Sequence, residues 1–128
     1  MFGSIAFIKH GSHKVPPGGS ITLTSGVLAR RPRKGSPLPT ATVGAVEQGV
    51  RGFAVDLASL RINGVCPGLT LTDSIWARGP ERVAALTAGL PLPRAASPTE
   101  FALAYVYLML NTYVTGQVLP VDGGESVV

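Results

Sequence analysis

Apolar positions along this chain change period several times, and each change marks an element. The strongest pattern runs over residues 40–60. Val43, Val46, Val50, Phe53, Ala54, Leu57 and Leu60 recur at helical spacing, one face of an amphipathic helix. Ser20-Ile21-Thr22-Leu23-Thr24-Ser25 alternates instead, with β-branched residues, as a half-buried strand does. Arg61-Ile62-Asn63-Gly64-Val65 reads as a short strand directly after the helix, and Cys66-Pro67-Gly68 ends it. Gly79-Pro80-Glu81 opens a short helix, with proline at the first helical position and an acid in the first turn. Gly89 closes that helix. Ser97-Pro98-Thr99-Glu100 is a capping box that starts a helix running to about Leu110, with Phe101, Ala104, Tyr105 and Leu108 inward. Gln117-Val118-Leu119-Pro120-Val121 is the last strand, and Asp122-Gly123-Gly124 turns after it. Pro120 has no N–H to give a ladder, so this strand belongs at an edge. At the other end Phe2, Ile5, Ala6 and Ile8 mark a weak helix end before the stop at Pro16-Pro17-Gly18-Gly19. Residues 26–39 read as a loop, and residues 69–79 as irregular.

The order is strand, helix, strand, two helices, strand. That alternation predicts an α/β fold with a three-stranded parallel sheet, right-handed crossovers and flanking helices. The strands should pair in chain order. The length, 128 residues, is that of one domain. Three parallel strands are few for a sheet covered on both faces, so residues 1–128 are expected to be part of something larger.

Composition narrows the class. Charged residues make up 14%, well below the share in disordered tails. Sixteen glycines and eleven prolines are scattered between apolar stretches, which indicates a folded chain with many loops. No apolar run is long enough to cross a membrane. The first residues, MFGSIAFIKHG, make a poor signal peptide because Lys9 and His10 follow the short apolar stretch. A cytoplasmic protein is expected. The single cysteine, Cys66, excludes an internal disulfide framework and reads as a buried, inert thiol. Residues 1–34 hold six basic residues and no acid. The run Arg30-Arg31-Pro32-Arg33-Lys34 lacks an aromatic residue for base stacking, so it reads as a solvated loop, with no nucleic acid expected. His10 and His13 are a pair without a neighbouring acid or cysteine, and no metal is expected. Asp73 reads as a loop cap.

Several motifs together resemble the short-chain dehydrogenase/reductase family. Gly18 to Ser25 resembles that family's serine-bearing strand. Arg61-Ile62-Asn63-Gly64-Val65-Cys66-Pro67-Gly68 resembles its R-V-N-x-V-x-P-G strand, with Thr72 at the threonine of P-G-x-x-x-T. Tyr113-Val114-Thr115-Gly116-Gln117 through Asp122-Gly123-Gly124 resembles its closing Y-V-T-G-Q-x-x-x-V-D-G-G. The likeness implies the C-terminal half of a Rossmann-type domain. The glycine-rich dinucleotide turn, G-x-x-x-G-x-G, is not in this sequence.

The resemblance implies an NAD- or NADP-dependent oxidoreductase of a small-molecule carbonyl or alcohol. Ser25 would be its catalytic serine, and Pro67, Gly68, Thr70 and Thr72 would approach the cofactor. Pro67-Gly68 also ends a strand where open α/β sheets bind ligands. In the same register Pro39 stands at the family's tyrosine and Val43 at its lysine, and the spacing from Ser25 to Pro39 is one residue off the usual. The alternative is therefore a catalytically dead relative. It would bind a ligand, or act as a homo-oligomer or as the partner of a full-length homologue, or have no role. No membrane partner is expected.

Overall fold

The computed structural model describes residues 2–128. Met1 and the side chain of Phe2, counted above among the apolar positions, lie outside the described residues. Five α-helices and three strands alternate: α1 (Phe2–Gly11), β1 (Ser20–Thr24), α2 (Pro37–Asp56), β2 (Arg61–Pro67), α3 (Asp73–Trp76), α4 (Pro80–Thr87), α5 (Pro98–Leu110) and β3 (Val118–Val121). The sheet is parallel throughout, in the order β1-β2-β3. Pro120 sits opposite Cys66 on the outer strand, where its missing N–H leaves no partner unsatisfied.

Two apolar layers cover the two faces. On one face Ile21 and Leu23 of β1 and Ile62 of β2 meet Val46 and Val50 of α2 and Ile8 of α1. On the other, Val65 meets Phe101, Ala104 and Leu108 of α5. The period-2 alternation of β1 and the 3.6 period of α2 thus converge on one core, as their patterns require. β2 is buried from Ile62 to Cys66 because it lies in the middle of the sheet. The capping box at α5 forms as its sequence predicts: Glu100 N–H donates to Ser97 Oγ and the Glu100 carboxylate accepts from Ser97 N–H.

The structure moves several boundaries. α2 begins at Pro37 rather than residue 40 and ends at Asp56 rather than 60. Two prolines are tolerated in its first turn because the N–H groups there have no intrahelical acceptor. Residues 27–29 form a 3₁₀ turn, and Asp73–Trp76 a short helix, within stretches that read as loops. The basic run is an exposed loop, as its sequence leads one to expect, but two of its arginines are engaged. Arg30 pairs with Glu47, and Arg33 pairs with the buried Glu125. No helix among the described residues is long and apolar enough to cross a membrane.

Candidate functional site

Parallel α/β sheets bind ligands beyond the C-terminal ends of their strands. Here that edge is built from the end of β1, the end of β2 and the segments that follow them. Ser25 directly follows β1 and extends the ladder, its N–H donating to Val65 O at 2.8 Å. Like Ile21 and Leu23 it points toward α2, and only 8% of it is exposed. Its hydroxyl turns away from solvent, 3.1 Å from Glu47 Oε1 and 3.3 Å from the Val43 carbonyl.

The same Glu47 oxygen accepts from Arg30 Nε at 3.2 Å, and Arg30 Nη2 donates to Val118 O at 2.9 Å. A polar chain therefore runs from β1 through α2 to β3. Cys66 lies beside it, and burial, reinforced by the Glu47 carboxylate, pushes its thiol up to about 12. It stays a neutral thiol at neutral pH, as its sequence context leads one to expect.

The next residue, Gly26, is extended at φ −174°. A Cβ on it would stand 3.4 Å from Val43 Cγ1. Gly26, Ser25 and Val43 are thus neighbours, and Pro39 lies one helical turn before Val43 on an exposed part of α2.

Pro67 closes β2 opposite Val121. Gly68 N–H donates to Val121 O at 3.0 Å. A Cβ on Gly68 would meet the Asp122 backbone at 2.7 Å, so the crossing of these two segments admits glycine alone. Asp122 holds the final turn by accepting from Gly124 N–H and Ser126 N–H, both at 2.9 Å. Burial raises its pKa, but these hydrogen bonds outweigh burial and the net shift is downward. After Gly68, residues 69–71 run alongside Ala96, held by Leu71 N–H to Ala96 O at 2.8 Å and Ala96 N–H to Leu69 O at 3.0 Å. Thr70 is half-buried, with its hydroxyl 3.5 Å from Gly68 O. Thr72 is exposed at the start of α3, where its carbonyl accepts from Ile75 and Trp76 N–H. Asp73 lies in the first turn of α3 and is exposed. The structure gathers Pro67, Gly68, Thr70 and Thr72 on one continuous segment at the sheet's C-terminal edge. Ser25 stands beside that segment, facing inward.

Two motif residues prove to be braces. Arg61 donates to the carbonyls of Leu108, Asn111 and Met109 at 2.7–2.8 Å, closing the C-terminal end of α5, where a cation also opposes the helix dipole. Asn63 is fully buried. Its side chain donates to Val114 O at 2.8 Å and accepts from Gln117 N–H at 3.1 Å. Thr115 Oγ1 accepts from Ile62 N–H at 3.1 Å. The R-x-N and T-G-Q motifs thus dock on each other and set the register of β3. Sequence reasoning passed over Glu47 and read Arg30 only as part of the basic run. The signal for Glu47 was present, since it lies four residues after Val43 and three before Val50, on the apolar face of α2.

An open parallel sheet with helices on both faces and a Pro-Gly turn leaving its central strand defines an α/β fold of the dinucleotide-binding type. The chain matches, over residues 1–126, the family model described as enoyl-(acyl carrier protein) reductase. It is 37% identical to the short-chain dehydrogenase/reductase ATR9 of Stachybotrys chlorohalonatus over 111 residues, 82% of this chain and 43% of that protein. It is 35% identical to glucose and ribitol dehydrogenase homolog 2 of Arabidopsis thaliana, over 97% of this chain and 45% of that protein. A solved small-chain dehydrogenase in complex with NADPH superposes with a TM-score of 0.90 at 30% identity, covering 100% of this chain and 60% of the other. The chain belongs to the short-chain dehydrogenase/reductase family, and it spans about half the length of the curated relatives it matches.

Proposed function

We propose that this chain carries the nicotinamide-facing segment of a short-chain dehydrogenase/reductase and no proton-transfer group of its own. One observation carries the reading. Where the family resemblance calls for serine, tyrosine and lysine, the end of β1 and the first turns of α2 present Ser25, Pro39 and Val43, and the Ser25 hydroxyl is bound to Glu47. Neither a prolyl ring nor an isopropyl group moves a proton, and proton transfer by a positioned side chain contributes about 10²–10⁴-fold to such reactions. In this reading Ser25 braces β1 against α2.

A nicotinamide dinucleotide fits one part of the site and not the other. The Thr72 hydroxyl is exposed and the half-buried Thr70 N–H has no backbone acceptor among the described residues, so both suit the polar groups of such a cofactor. Pro67 and Gly68 fix the path of that segment. Val43 offers nothing to a ribose hydroxyl. When bound, NAD or NADP supplies the hydride. The test is titration with NADPH followed through the amide signals of Gly68, Thr70 and Thr72. Saturable shifts there, weakened in Thr72→Val, are expected. No change at millimolar NADPH would overturn the reading.

A second reading, a structural partner for another copy of this chain, is favoured by a separate observation. Leu103, Leu110 and Tyr113 on and just after α5 are 64%, 74% and 99% exposed. Among the described residues β1 pairs on one side only. Sedimentation that gives a dimer or larger species, shifted toward monomer by Leu110→Glu, supports it. A monomer at all concentrations contradicts it.

A further inference from the structure

The basic run does more than pair with acids. Its backbone is held in local turns, with Arg31 N–H donating to Val27 O at 2.8 Å and Ser36 N–H to Arg33 O at 3.1 Å. Arg30 ties it to Glu47 and Val118, and Arg33 ties it to Glu125. So anchored, residues 31–34 form one wall of a cavity of about 480 Å³, and the end of α4 and the residues after it form the other. That volume lies within the range of small-molecule sites.

The walls differ in chemistry. One presents Arg31, Arg33 and Lys34, and the other Ala85, Leu86 and Leu90. The only acid lining the cavity is Glu125, whose side chain is 3% exposed and already paired with Arg33. The Arg31 side chain makes a single hydrogen bond, to the Glu125 carbonyl at 3.3 Å, which leaves its charge unneutralised. Lys34 is exposed and forms no ion pair among the described residues. Two positive charges therefore face an apolar wall with no anion to balance them. A cleft lined by one sign of charge draws anions.

We propose that this cavity binds an amphipathic anion, a carboxylate or phosphate head carried on an apolar body. The head lies between Arg31 and Lys34, and the body rests on Leu86 and Leu90. The site is built from the segment after β1 and from α4, with none of Pro67, Gly68, Thr70 or Thr72, so it does not depend on cofactor binding.

The test is calorimetric titration of the full chain with octyl phosphate, octanoate and octanol, which share one tail and differ in the head. Octyl phosphate and octanoate are expected to bind, the phosphate more tightly if its second charge is used, and octanol not to bind. Equal affinities for the two anions would assign a carboxylate-sized head. Lys34→Gln should weaken octyl phosphate about 3- to 5-fold, the range of one exposed ion pair. Arg31→Gln with Lys34→Gln should weaken it about 10-fold or more, and Arg78→Gln, outside the cavity, should leave it unchanged. Raising the salt should weaken the anions alone. NADPH should not displace octyl phosphate, which separates this site from the cofactor reading. Octanol binding as tightly as the anions, unchanged affinity in Lys34→Gln, or no binding at millimolar ligand would each overturn the proposal.

Discussion

The seam between β2 and β3 and the seam between β1 and α2 both border the C-terminal edge of the sheet, yet they keep the family's residues to different degrees. Along the first, Arg61, Asn63, Thr115 and Gln117 stand in their motifs, and each acts mechanically by closing a helix, seating a loop or setting a strand's register. Along the second, Ser25 stands at the serine position but faces Glu47, and the positions that the resemblance assigns to tyrosine and lysine hold Pro39 and Val43. Helix α2 still packs on the sheet through Val46 and Val50, so the fold does not need the missing groups. Most of the motifs by which the family is recognised here hold the fold together.

That contrast can be attacked directly, beginning at its stronger side. Asn63→Ala empties a fully buried site and leaves the partly buried Val114 O and Gln117 N–H unpaired, and we expect a loss of about 2–3 kcal/mol in urea unfolding. Gly68→Ala drives a Cβ into the Asp122 backbone and should cost about 2–3 kcal/mol by the same measurement. Ser25→Ala, on the other seam, should cost only about 1 kcal/mol, because Arg30 still neutralises Glu47. A Ser25 variant as damaging as the Asn63 variant would erase the distinction between the seams.

Acid should act on the β3 side as well. The Arg94 guanidinium first, then the Ser97 N–H, hold Glu100 down at about 2, against an ordinary 4.5, and Asp122 is also lowered. A carboxyl depressed in the folded state lends stability that is complete above its unfolded pKa and is lost as pH falls through the folded one. Thermal midpoints should therefore hold above about pH 5 and decline toward pH 2. Glu100→Gln should flatten part of the decline. The smallest effect is expected at Ser59, the one described non-glycine residue at positive φ, 100°. Ser59→Gly should raise stability by only about 0.5 kcal/mol, measured by thermal unfolding, because glycine's greater freedom in the unfolded chain offsets part of the relieved strain.

Much of the fold was legible because periodicity and caps are local. The alternation of β1, the 3.6 period of α2 and the Ser97–Glu100 box each survive into the structure within a few residues. The short α3 and the 3₁₀ turn at 27–29 escaped because four or fewer residues carry no period. The grouping of Pro67, Gly68, Thr70 and Thr72 was readable from one motif on one segment. The partners of Glu47 were not, because Ser25, Arg30 and Cys66 lie 22, 17 and 19 residues away in the chain and meet it only through the β1–α2–β2 packing. The ion pairs of the exposed basic run were hidden for the same reason, since Glu125 is more than 90 residues from the arginines it binds.

The most direct trial of the central claim is a turnover assay of the purified chain with NADPH and NADH over a panel of small aldehydes and ketones. With Pro39 and Val43 at the proton-transfer positions, carbonyl-dependent oxidation of the cofactor should not rise above the protein-free rate. Sustained, substrate-dependent oxidation that disappears in Ser25→Ala would contradict the account, because it would make the inward-turned hydroxyl a working catalytic group.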